Sequence, residues 1–172
     1  MQLHESIRIF PWFQIYFTEN PGMAFGWEII DKQILSIVRI VAVLVLIYFL
    51  FKLIRKNYPF GFLACIALIL VGAIGNIIDC VLYGLIFDHS YGHVATFLPA
   101  SGGYASVLHG KVVDMLYFPL IETTLPAWFP VWGGKEFIFF RPIFNLADSA
   151  ISVGVFTLLL FYRKSFSKSM SK

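Results

Sequence analysis

Three stretches of the chain lack the alternation of polar and apolar positions that marks a half-buried soluble element. They are ILSIVRIVAVLVLIYFLF (34–51), FGFLACIALILVGAIGNII (60–78) and IFNLADSAISVGVFTLLLFY (143–162). A helix needs about 20 apolar residues to cross a bilayer, so the pattern predicts transmembrane helices at 34–51, 60–79 and 143–162. Elsewhere the pattern changes. Residues 13–18, FQIYFT, alternate ring and polar side chains in the manner of a short strand, and the turn signal ENPG follows. Region 80–142 is rich in aromatics and punctuated by Gly102, Gly103, Pro119, Pro126, Pro130, Gly133 and Gly134. Aromatic rings favour the membrane interface, so this region is expected to form a partly structured layer on the outer surface.

Composition agrees with the pattern. Of 172 residues, 59% are hydrophobic and 13% are charged, against roughly 25% charged in a soluble domain. The chain is read as one integral membrane domain over 1–172, mainly α-helical with a small β-segment. Net charge is +3, but the bases form no stripe among stacking aromatics, which excludes nucleic-acid binding. Lys52, Arg55 and Lys56 lie between the first two spans, and Arg163, Lys164, Lys168 and Lys172 follow the last. Short Lys/Arg-rich segments stay in the cytoplasm. The C-terminal tail 163–172 is therefore assigned inside, and 1–33 and 80–142 outside. An outer N-terminus with no export signal of its own leads us to expect a further helix preceding this chain. Cys65 and Cys80 stand about 22 Å apart if one helix carries both, too far for a disulfide.

Asp148 is the residue most at odds with its surroundings. A carboxylate in an apolar span costs several kcal/mol, depending on depth and partners, and is a functional hypothesis by default. The bland alternative is a helix N-terminal carboxylate favoured by the macrodipole. Its candidate partner is Asp114, in HGKVVDMLYFP (109–119), which could equally be a solvated loop residue. Two carboxylates together in a poorly hydrated place cannot both ionise cheaply, so they share a proton. Such a pair can deprotonate a water attacking a carbonyl and protonate the departing nitrogen. Asn145 and Asp148, like Asn76 and Asp79, stand three apart, and each pair could share one helical face at a common depth. His89 and His93 have the spacing of a metal pair, but Tyr-Gly lies between them and no third ligand is evident. No serine has a G-x-S-x-G setting.

Four motifs in order, NPGMAFG (20–26), GAIGNIIDC (72–80), GKVVDMLYFP (110–119) and FNLADSAISVG (144–154), resemble those of the lipoprotein signal peptidases, the signal peptidase II family of membrane aspartyl proteases. The resemblance covers nearly the whole chain, and the long aromatic insertion looks like the Bacteroidetes type. It implies cleavage of the signal peptide of a prolipoprotein just before the diacylglyceryl-modified cysteine. It places the catalytic pair on Asp114 and Asp148 and substrate contacts on Asn20, Asn76, Asn145, Gly22 and Asp79. It also implies no metal or organic cofactor, and a monomer in the bacterial inner membrane with its active site near the periplasmic face. The partners implied are diacylglyceryl-modified prolipoproteins and membrane lipid. Two departures stand out. The family commonly has Arg where this chain has Cys80, and it has four spans where three are read here. Two competing classes remain, a transport or proton-relay protein with acids at several depths, and a non-enzymatic anchor or inactive truncated relative.

Overall fold

The structure, a computed structural model, describes residues 1–21 and 32–171. Its chain folds into two compact units.

The first unit comprises residues 1–19, 90–95 and 113–145, and its main feature is a four-stranded sheet. Strand β1 (Ser6–Phe10) pairs antiparallel with β2 (Phe13–Asn20) across the tight turn at Pro11 and Trp12. The expected strand at 13–18 is therefore present and longer. The sheet order is β1-β2-β3-β6, with β3 (Val112–Tyr117) and β6 (Ile143–Phe144). Between them in sequence, β4 (Ile121–Thr124) and β5 (Glu136–Phe139) form a separate antiparallel hairpin, with Ile121 opposite Phe139 and Thr124 opposite Glu136. Rings bind the main sheet together. Phe13 stacks on Phe118 with centroids 4.8 Å apart, and Phe118 stacks on Phe144 at 5.7 Å. Offset stacking of this kind is worth about 0.5–1.5 kcal/mol per pair beyond area burial, and here it holds the two-residue β6 in register.

The second unit is helical. Helix α1 (Lys32–Arg55) and α2 (Phe60–Ile86) are long and apolar enough to cross a membrane. Helix α3 (Leu146–Phe161) is followed by α4 (Arg163–Met170) after a bend of 92°. Between two and three spans result, depending on whether that bent pair counts as one. Apolar side chains along α1 are largely exposed, from Ile34 and Val38 to Leu44, Tyr48 and Phe51. In water this would be costly, and in hydrocarbon it is the expected state of a helix apolar all round. Leu53, Phe62, Cys65, Ile66 and Leu158 form the core, with Phe166 of α4 packed against it.

Element ends differ from the sequence reading, and α1 runs over Lys32–Arg55 rather than 34–51. Helix α2 runs to Ile86 rather than 79, because CVLYGLI continues the apolar pattern past Asp79. The tail 163–172, read only as a basic cytoplasmic segment, contains α4, whose Phe166 reaches the core. The segment 143–162 opens as strand, and helix begins only at Leu146.

Candidate active site

Three glycines set the spacing of α2 and α3. A Cβ on Gly72 would run into the carbonyl oxygen of Ala147 and lie 2.7 Å from Ile151 Cγ1. A Cβ on Gly75 would meet Ala147 Cβ at 3.1 Å, and one on Gly154 would meet the Cys65 carbonyl and Ile69 Cγ1, each at 2.8 Å. Small residues of this kind let membrane helices approach to backbone contact. The close seam brings Asn76, one residue beyond Gly75, to the start of α3. There its Nδ2 donates to Asp148 Oδ1 at 2.8 Å. Asp148 occupies the first turn of α3, where the exposed amides and the helix dipole favour a negative charge.

Further along α2, Tyr83 hydrogen-bonds to the carboxylate of Asp79. The neighbouring Cys80 is buried and receives a guanidinium contact, Arg39 Nη1 to Sγ at 3.6 Å. The loop 96–111 folds back over this end of the helix. Leu98, Tyr104 and Ala105 donate their amides to the carbonyls of Ile86, Phe87 and Gly84, and Gly110 donates to Cys80. The first three bonds satisfy carbonyls at the helix C-terminus, which have no acceptor role within the helix. Ser36 on α1 donates to the Leu108 carbonyl at 3.0 Å, which ties the loop to that helix.

Asp114, on β3 of the first unit, is 3% exposed. A buried carboxylate needs donors, and the sheet supplies one. Leu116 pairs with Phe144 in the β3–β6 ladder, so Asn145, the next residue, arrives beside Asp114 and donates Nδ2 to Oδ1 at 2.8 Å. Asp114 and Asp148 each thus accept from an asparagine, with the same atoms and the same length of bond.

Asn145 precedes α3 and donates to Asp114, and Asn76 donates to Asp148 from a different helix. Asn20 is the last residue of β2. Gly22 lies outside the described residues. Both cysteines are free thiols. Sequence reasoning passed over Arg39, although a cation inside the run 34–51 was itself the signal.

Long helices that expose apolar side chains define an integral membrane protein, and each of its two units holds an aspartate bonded by an asparagine. The model for signal peptidase (SPase) II matches residues 1–164. A lipoprotein signal peptidase from Porphyromonas gingivalis is 54% identical over 168 residues, covering 97% of this chain and 74% of that protein. Another, from Amoebophilus asiaticus, is 38% identical over 165 residues, covering 94% and 66%. In fold the chain is similar to a bacterial membrane enzyme solved by the in meso method at 2.3 Å. The TM-score is 0.60 at 23% identity, over 98% of this chain and 76% of that one. The chain belongs to the signal peptidase II family.

Proposed function

We infer that this protein is a lipoprotein signal peptidase, an aspartic endopeptidase that removes signal peptides from prolipoproteins in lipoprotein processing. Its substrate is the diacylglyceryl-modified prolipoprotein, cut before the lipidated cysteine. Asp114 and Asp148 are the catalytic pair. Sharing one proton, they act as base toward water and as acid toward the departing nitrogen. The water oxygen attacks the scissile carbonyl, its proton passes to one carboxylate, and the other carboxyl protonates the leaving amine. Asn76 and Asn145 orient the two carboxylates and, with Asn20, Gly22 and Asp79, contact the substrate.

The observation that carries this reading is the matched pair of Nδ2–Oδ1 bonds at 2.8 Å. A carboxamide fixing one oxygen of each carboxylate removes the freedom to rotate away from the reacting atoms, and placement of this kind supplies much of catalysis. Residues 1–172 belong to a single peptidase domain. Three spans, with α3 and α4 making the third, hold it in the bacterial inner membrane with the aspartates near the periplasmic face and the C-terminus in the cytoplasm. The protein works as a monomer, without nucleic acid. Substrate lipid stays in the bilayer and delivers the scissile bond to its surface.

The test is cleavage of a diacylglyceryl-modified prolipoprotein in detergent or lipid by this chain, Asp114→Asn and Asp148→Asn. Each substitution is expected to lower the rate by about 10²–10⁴-fold, the range for loss of a positioned acid or base. Cleavage that survives both would sink the dyad.

A further inference from the structure

The β4–β5 hairpin presents an apolar surface that the peptidase reading leaves unused. All four residues of β4 are exposed, as are three of the four in β5. A two-stranded hairpin is marginal in water unless something covers it. Its connecting segment, LPAWFPVWGGK (125–135), contains no acid and one lysine. Trp128 is 80% exposed, Val131 83% and Trp132 57%. Beneath them lies an open cavity of about 550 Å³ lined by Leu125, Phe129, Trp132, Lys135, Glu136 and Phe137. Glu136, opposite Thr124, borders this tip, and Glu122, opposite Ile138, lies further down the strands. Charge thus flanks the tip at Lys135 and Glu136, while residues 125–134 carry none.

Three features fit an occupant that is fluid hydrocarbon. The first is backbone satisfaction. The amides of Leu125, Phe129, Trp132, Gly133, Gly134 and Lys135 all donate to carbonyls within the same segment, at 2.8–3.0 Å. Peptide groups already paired lose little on leaving water. The second is Val131, whose φ of 66° is left-handed. A β-branched residue rarely adopts that conformation, and here it holds an isopropyl group outward at the tip. The third is tethering. Residues 140–145 alone separate β5 from α3, a candidate membrane segment, which is at most about 25 Å of extended chain. The hairpin is bound by its own backbone to the neighbourhood of a bilayer. Tryptophan with a flanking lysine is the composition of an interfacial anchor.

We propose that the 125–135 tip inserts into the phospholipid bilayer surface, as a membrane anchor distinct from the spans. This rests on the chain being a membrane protein and holds whether or not Asp114 and Asp148 cut peptides.

The test uses the whole chain in phospholipid vesicles, with a nitroxide on Val131→Cys. Cys65 and Cys80 are buried, and the unsubstituted protein controls for their labelling. Insertion predicts that collisions of the nitroxide with oxygen exceed those with a water-soluble nickel complex several-fold. The reverse order would place the tip in water and overturn the proposal. Shielding from both reagents would mean a protein partner and would overturn it too. Should Val131→Cys fail to fold, brominated phospholipids decide. They are expected to quench the native tryptophan emission, and the quenching should fall markedly in Trp128→Phe/Trp132→Phe. Quenching equal to that of the parent would refute insertion.

Discussion

Arg39 reaches from α1 to α2, where its Nη1 lies 3.6 Å from the sulfur of Cys80. Cys80 occupies the position after GNIID where the family commonly carries arginine. The charge missing from one helix is therefore present beside it on another. We predict that this guanidinium performs the substrate contact. Arg39→Met should lower kcat/KM for prolipoprotein cleavage by about 10–100-fold, the worth of a hydrogen bond to a charged group. Arg39→Met combined with Cys80→Arg should recover part of it. An Arg39→Met enzyme with unchanged kcat/KM would remove the idea.

The two asparagines are expected to act at the chemical step as orienting groups. Asn76→Ala and Asn145→Ala should each reduce kcat by about 10–100-fold. Asn76→Asp should do worse, because a second carboxylate beside Asp148 repels its charge. Single-turnover cleavage by folded variants checks this; a change confined to KM would assign them to binding alone.

The glycine seam makes a graded prediction. At Gly72 an added methyl meets backbone, which cannot yield cheaply, and overpacking of this type costs about 1–3 kcal/mol. At Gly75 it meets only the Ala147 methyl at 3.1 Å. Gly72→Ala should therefore lower thermal stability and cleavage more than Gly75→Ala does. Equal effects in a melting and activity comparison would show that the seam is looser than described.

Tyr117 carries the clearest pH signature outside the spans. Burial first, and then the negative charge of Glu122, push its phenol above the ordinary value. A raised folded value means that its contribution to stability is complete below the unfolded phenol value of about 10 and is lost as pH rises through the folded one. In an alkaline ultraviolet titration, Glu122→Gln should move one phenol step to lower pH, and that step should be missing from Tyr117→Phe. A Glu122→Gln shift that persists in the Tyr117→Phe background would assign it to another tyrosine.

How much of this was legible in the sequence varies with the kind of interaction. Helices α1 and α2 were, because hydrocarbon demands unbroken apolar runs and leaves few alternatives. The upper end of α2 was not, since Asp79 reads as a stop until Tyr83 is seen to bond it. Asp114 and Asp148 stood out because charge is costly where they sit. Their partners did not. Spacing in one dimension could not supply the Asn145–Asp114 and Asn76–Asp148 bonds, which depend on the β3–β6 register and on how closely glycine lets two helices approach. The β4–β5 hairpin was visible only as aromatic content, because rings that bind an interface and rings that pair across strands have the same composition.

Contact through Gly72 and Gly154 leaves α2 and α3 with no side-chain slack along their seam. A bilayer that thickens or thins is matched by tilting, and these two helices tilt as one piece. The Asn76–Asp148 bond then keeps its length while its depth changes. The chemistry is registered to a helix pair, and the surrounding lipid sets only which layer of the membrane it reads.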